Sequence, residues 1–400
     1  MKGQPTLPAR AWIDIDLGAL VQNGRSIAAH AGRPILPMVK ADAYGLGAVQ
    51  AARALESLDP WGFGVATLEE GLELRRAGIV RPVLVCTPLL PQELRQAADA
   101  QLTPSLHDAA RIADWAPTGR PWHLAVDTGM NRAGVPWYRI GDLHDLLRAY
   151  PPQGVFTHFH SAELPDDSAE RQLRRFTEVV DSLPDRPGLV HAENSAAIQR
   201  FGRSRFSLVR PGIFLYGVSM PELGGPSAVP VVAMRARVVD VRDVPDSETV
   251  SYLQTYRAVG ERRIATIALG YADGFPRAAS NRGWAMLNGN RVPVAGLVTM
   301  DMTMLDVTGV ECREGDVATL LGDPDDGLPD VATLAFHSDS SPYEILTRLR
   351  SRIERRYAGM PTGASRERAG GSTPAESRSG AGGESGATSG GTDTAAEGAR

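Results

Sequence analysis

The sequence is almost without lysine. Of its 42 lysines and arginines, only Lys2 and Lys40 are lysine, so arginine carries nearly all the positive charge. Arginine stays protonated and is not a usable nucleophile. A desolvated lysine amine can lose its proton, then attack a carbonyl or act as a base. Lys40, at the end of the apolar run ILPMVK and just before ADAYGLG, is therefore a candidate reactive amine. Cysteine is equally scarce. Cys86 and Cys312 stand far apart, without the spacing of a zinc knuckle or a disulfide framework, which fits a reducing, cytoplasmic setting. The formal net charge is -5 and no basic block is interleaved with aromatics, so nothing favours nucleic acid as a partner. No apolar run approaches the length of a membrane span, and MKGQPTLPARAWIDIDLG contains no apolar signal core.

A chain of 400 residues predicts two or three domains with room for a sizeable core. The composition breaks near Pro361, where GGSTPAESRSGAGGESGATSGGTD holds no large apolar residue. Such a segment cannot bury enough surface to offset its ordering entropy, so residues 361–400 are expected to be a disordered, solubilising tail. The first half alternates apolar runs with helical patterns. WIDIDL, ILPMVKA, WGFGVA, PVLVCT, WHLAVD, GVFTHFH, LVHAEN and FSLVR read as strands. Between them, Thr67-Leu68-Glu69-Glu70 reads as a capping box. Leu68, Leu72 and Ala77 would supply that helix's apolar face, and Gly78 would stop it. Strand–helix alternation means parallel strands with crossover helices, and eight such units close a (β/α)8 barrel. An open doubly wound sheet competes, but no glycine-rich dinucleotide turn follows the first strand. After about Pro226 the pattern changes to short strands, with turns at Asn288-Gly289 and around Gly309. The reading is an α/β barrel over residues 1–226 and a mainly-β domain over 227–360.

A barrel of this kind carries its chemistry at the C-terminal ends of its strands. Lys40 ends ILPMVK, and Asp127 ends WHLAVD with Arg132 just beyond. His158 ends GVFTH, Asn194 and Ser195 follow LVHAE, and Arg210 ends FSLVR. Amine, carboxylate, imidazole, hydroxyl and guanidinium would then ring one mouth. Tyr256, in a β-domain strand, is expected to be a cross-strand packing residue.

Nine motifs, in order, resemble those of the bacterial alanine racemases: VKADAYGLG, VDTGMNRAG, THFHSAE, ENSAA, VRPGIFLYG, VSYLQTY, GYADGFPR, TMDMT and SPYEIL. The resemblance runs from about Ala11 to Tyr357. It implies homodimers that interconvert L- and D-alanine, supplying D-alanine for peptidoglycan, with pyridoxal 5'-phosphate at the barrel mouth. Lys40 resembles the lysine that holds the cofactor covalently and then serves as the base on one face of Cα. Tyr252 resembles the base on the other face, reaching in from the partner subunit. Arg132 matches the arginine beside that phenol, where a cation favours phenolate. His158 matches a histidine bonded to Arg210, which would face the pyridine nitrogen and keep it unprotonated. The phosphate would lie against Tyr44, Ser195, Gly212, Ile213 and Tyr343. Met300 and Asp301 match partner-chain residues near the substrate carboxylate.

Three departures from the family pattern stand out. Leu46 occupies a place commonly held by histidine. Leu253 replaces the glycine usual after the tyrosine base. Ala125 replaces a carbon dioxide-modified lysine that would pair with Arg132, so water or an anion such as chloride is expected beside that guanidinium. Two other readings compete: a racemase of another small amino acid such as serine, and a metal-dependent barrel hydrolase using His158, His160, His191 and Glu193.

Overall fold

The structure is a computed structural model and describes residues 9–349 and 352–360. The tail expected over 361–400 lies outside the described residues. A ring of parallel strands runs Phe63–Val65, Val83–Val85, Thr103–Leu106, His123–Asp127, Gly154–Phe156 and Leu189–His191. Two extended segments close it. Ile35 bridges Val209 in parallel and Met38 bridges Gly64. The Leu36 amide donates to the Val209 carbonyl at 2.8 Å, and Ser207 N donates to Val190 O at 2.9 Å. Eight strand positions thus form a (β/α)8 barrel, followed by a mainly-β domain.

The membership of the ring differs from the sequence reading at two places. WIDIDL is not a barrel strand. Ala11–Asp16 pairs antiparallel with Val232–Val244 and parallel with Glu354–Ala358, in the sheet of the second half. Its alternation explains this. Ile13 and Ile15 are buried, while Asp14 between them ion-pairs with Arg235 on the neighbouring strand. That is the pattern of a half-buried antiparallel sheet, whereas a parallel barrel strand is covered on both faces. The missing barrel strand is Thr103–Leu106, four buried residues of which two are polar and one is Pro104. Asp16 then caps the helix Leu17–Ala31, accepting from Gly18 N and Ala19 N at 2.8 and 3.0 Å.

Local signals hold elsewhere. The helix Leu68–Arg76 starts with the Thr67–Glu70 capping box, although it buries Leu68, Gly71 and Leu74 rather than Leu72 and Ala77. Asn288 and Gly289, at φ 47 and 74, make the tight turn between Trp284–Leu287 and Asn290–Pro293. Tyr256 is a strand residue whose hydroxyl donates to Asp306 at 2.7 Å. Among the described residues no helix is long and apolar enough to cross a membrane.

A polar chain runs through the barrel interior. Arg210, 4% exposed, donates from Nη1 to His191 Nδ1 at 2.7 Å. A guanidinium only donates, so His191 carries its proton on Nε2 and passes it toward His123 Nδ1, 2.9 Å away. Burial drives both imidazoles to the neutral form. His123 is pushed down to about 3, as is His158 at the mouth, where Arg210, Arg132 and Lys40 add to the desolvation. His191 is shifted in the same direction.

These depressed values set a sign for acid stability. The unfolded chain protonates each histidine near pH ~6.5 while the folded chain does not, so stability is full above that value and is lost as pH falls below it. Glu193, raised by burial, opposes with one proton against three. Urea titrations between pH ~7 and ~5 should show stability declining toward about 1.4 kcal/mol per pH unit for each histidine. Stability that is flat or rising as the pH is lowered through that range would contradict the buried neutral chain.

Candidate active site

Lys40 opens the longest run of positive-φ, non-glycine backbone among the described residues. Ala41, Asp42, Ala43 and Tyr44 have φ of 52, 55, 52 and 56, one turn of left-handed helix built without glycine. L-residues lose about 1–2 kcal/mol each in this conformation. Specific acceptors hold the turn. Glu70, the capping-box carboxylate, accepts from Ala41 N and Ala66 N, both at 2.7 Å. The Asp42 carboxylate accepts from Ala48 N at 2.8 Å. The turn delivers Tyr44 beneath Lys40, its ring stacked on Tyr216 at 4.6 Å and facing Tyr343 at 6.1 Å. Tyr216 donates its own hydroxyl to the Met38 carbonyl at 2.8 Å. Burial, with Tyr343 alongside, pushes the Tyr44 phenol well up, so it is a neutral donor at working pH.

The opposite wall comes from the last two barrel strands. Arg210 Nη2 donates to Thr157 O at 2.6 Å, to Ala192 O at 3.0 Å, and to His158 Nδ1 at a long 3.4 Å. Burial lowers the guanidinium to about 10, so it stays charged near neutrality. Ser195 opens the helix Ser195–Phe201, with Asn194 as its cap accepting from Ala197 N at 3.0 Å. The Ser195 hydroxyl accepts from Gly212 N at 2.9 Å and from Phe214 N at 3.3 Å. Gly212 is required by close approach, because a Cβ there would lie 2.4 Å from the Tyr44 hydroxyl oxygen.

Two cavities meet at this mouth. One, of about 140 Å³, is lined by Lys40, Tyr44, Arg132, His158, Ser195, Arg210, Gly212, Ile213 and Tyr343. The other, of about 340 Å³, shares Lys40, Arg132 and His158 and extends past Ala125, Asp127, Ser105 and His107. Nine of the twelve site residues expected from sequence are thus brought together. Tyr252, Met300 and Asp301 are not. Tyr252 is 70% exposed, Met300 is 52% exposed, and Asp301 is paired with Arg352 at 2.6 Å. Their loops are tied to one another instead. Ser251 Oγ donates to Leu297 O at 2.7 Å, and Ala272 N donates to Met300 O at 3.0 Å. Together they expose Tyr252, Leu253, Tyr271, Met300 and Met302.

The departures have readable outcomes. Leu46 is buried in the core behind the Lys40 turn. Leu253 keeps the left-handed φ of 58 that glycine would adopt freely, and its side chain is 80% exposed. Ala125 leaves the larger cavity open beside Arg132, but Arg132 is exposed. The hydrolase reading loses its ligands, because His158 and His191 accept from Arg210, Glu193 accepts from Ser204 at 2.9 Å, and His160 is exposed. Among the described residues no cluster of three His, Cys, Asp or Glu could hold a metal ion. Sequence reasoning missed two supporting groups, Glu70 and His191. Each stood inside a noticed motif, but its partner lay on another strand or loop.

The donor set suits an anionic, aldehyde-bearing pyridine: an amine on one side, a buried cation on the other, and a close-packed hydroxyl and amide rim between. Comparison with known proteins agrees. Residues 15–220 match the family model for the alanine racemase N-terminal domain, and residues 231–357 match that for the C-terminal domain. The alanine racemase of Deinococcus radiodurans is 40% identical over 352 residues, 87% of this chain and 99% of that protein. The crystal structure of alanine racemase from D-cycloserine-producing Streptomyces lavendulae superposes with a TM-score of 0.83 at 33% identity, covering 88% of this chain and 98% of that one. That of Bartonella henselae alanine racemase with covalently bound pyridoxal phosphate gives 0.79 at 30% identity, covering 88% and 100%. The chain belongs to the alanine racemase family.

Proposed function

We propose that the chain interconverts L- and D-alanine with pyridoxal 5'-phosphate, in the cytoplasm, as a homodimer with shared active sites, and so supplies D-alanine for peptidoglycan. The observation that carries this reading is the pairing of Lys40 with Arg210 across one small cavity. Lys40 would hold the cofactor covalently, and Tyr44, Ser195, Gly212, Ile213 and Tyr343 would hold its phosphate. When bound, the cofactor supplies the electron sink that makes the substrate Cα–H acidic. Arg210 would face the ring nitrogen as a cation with no proton acceptor of its own, and its neighbours His158 and His191 are neutral. We divide the chain near residue 226 and count Ala11–Asp16 with the β domain, because that strand pairs with Val232–Val244.

Racemisation removes a proton from one face of Cα and returns one to the other, so two bases are needed. Lys40 serves one face. Among the described residues Tyr44 is not that second base, since it is neutral and packed against Gly212. Tyr252, exposed with Leu253 on one loop while neighbouring loops expose Tyr271, Met300 and Met302, is suited to serve the second face of a partner's site, together with Met300 and Asp301. Exposed apolar clusters of this kind mark association surfaces. Arg132 is the cation available to that phenol at the mouth.

Borohydride reduction should fix the cofactor on the peptide containing Lys40, with Lys2 the one other lysine to distinguish, and a panel of amino acids should show alanine racemised fastest. Lys40→Ala should lose the cofactor absorbance on desalting and lower racemisation by about 1,000-fold or more. Retention of activity without added amine would overturn the assignment.

Shared sites predict rescue between inactive chains. Equal amounts of Lys40→Ala and Tyr252→Phe chains, allowed to exchange subunits, should form about half mixed dimers, each with one intact site of two. Roughly a quarter of wild-type activity should return. No recovery after exchange has been verified by mass would reject the shared site and leave the role of Tyr252 open.

A further inference from the structure

The left-handed turn after Lys40 has a second tether, and it comes from the far end of the chain. The Asp42 carboxylate, already accepting from Ala48 N, also accepts from Arg355 Nη1 at 2.6 Å. Arg355 lies on the strand Glu354–Ala358, donates from Nη2 to Leu349 O at 3.3 Å, and is well covered. The same terminal segment grips the turn elsewhere. Tyr357 donates its hydroxyl to Leu46 O at 3.1 Å. A Cβ on Gly45 would lie 2.3 Å from Leu346 O, so the backbone of the helix Pro342–Thr347 packs directly on the turn. That helix also carries Tyr343 of the cofactor cavity.

Four non-glycine residues do not stay left-handed by preference, so the conformation persists because its surroundings over-determine it. Glu70 holds the turn at its first amide. Asp42 sits at its middle, and Arg355 is the cation that fixes Asp42. We infer that Arg355 is a positioning residue: its ion pair with Asp42 keeps the left-handed turn wound and so aims the Lys40 amine at the cofactor. The last strand of the β domain is then part of the cofactor site without touching the cofactor. This rests on the reading of Lys40 as the cofactor lysine.

The test uses the full-length holoenzyme with Arg355→Ala, Arg355→Lys and, as a control, Arg356→Ala. Arg356 is next on the same strand, pairs with Glu354 at 2.7 Å and stacks on Trp12 away from the turn. Three readouts are taken: the Kd of the apoenzyme for pyridoxal 5'-phosphate, the fraction trapped on the Lys40 peptide by borohydride, and apoenzyme Tm. Arg355→Ala should weaken cofactor affinity and lower the trapped fraction, with kcat falling about 10- to 100-fold while KM changes little, because small displacements of a reacting group carry costs of that order. Arg355→Lys should recover part of each, and Arg356→Ala should leave affinity and trapping at the wild-type level. If Arg355→Ala does not fold, Asp42→Asn keeps the acceptor for Ala48 N, removes the charge and should move the same readouts. A lower Tm with unchanged affinity and trapping would overturn the proposal and make the pair purely structural. Wild-type enzyme trapped elsewhere than Lys40 would overturn the underlying reading, and the proposal with it; that outcome is read before any variant is made.

Discussion

A guanidinium sealed inside a barrel, with no direct ion pair among the described residues, constrains everything around it. Arg210 must spend its donors on neutral acceptors, and it does so on two carbonyls and two imidazoles. Those bonds set the tautomer of His191, and through it the proton on His123. Burial, with the charge of Arg210 beside it, keeps His158 neutral at a mouth that already holds Lys40 and Arg132. A cation left partly unmatched in a low-dielectric core presents its field to whatever fills the cavity in front of it, which is the property an anionic cofactor site needs. Specificity of protonation here comes from burial more than from any neighbouring charge.

How far the sequence could be read depended on whether a signal was local. The capping box at Thr67 and the Asn288-Gly289 turn are complete within four residues, and both formed as expected. The strand-end polar residues were legible because barrel topology converts position in a strand into position at the mouth. The first strand was misassigned although its alternation was visible, because counting to eight outweighed the period-2 pattern. Thr103–Leu106 was invisible, since a short strand with a proline and two polar residues has no hydrophobic run to find. The tethers of the Lys40 turn could not be read at all. Glu70 announces itself only as a cap, and Arg355 stands 313 residues from Asp42.

The two residues given base roles share a backbone feature. Lys40 is followed by a left-handed turn, and Tyr252 sits between Ser251 at φ 70 and Leu253 at φ 58. Both loops use ordinary side chains where glycine would relax. Backbone of this kind is costly, and it concentrates where geometry is worth more than stability. Around Lys40 the cost is offset by carboxylates and by packing of the terminal segment. Around Tyr252 the loop is held by Ser251 and by Asn281, which donates to Thr255 Oγ1 at 3.0 Å.

The position of the first strand bears on how the chain is made. Ala11–Asp16 leaves the ribosome before either of its partners, which are residues 232–236 on one side and 354–358 on the other. The barrel that follows can begin to assemble while this strand still waits with both edges open. Contacts of such sequence separation give a high contact order and slow completion, and unpaired edges invite association with other chains. A break between the two halves would leave the barrel fragment carrying an orphan strand and the β fragment without the strand that joins Glu354–Ala358 to the rest of its sheet. Nascent chains of this fold therefore depend on the strand Glu354–Ala358, not on the last helix of the barrel, to close the edge that Ala11–Asp16 leaves open until then.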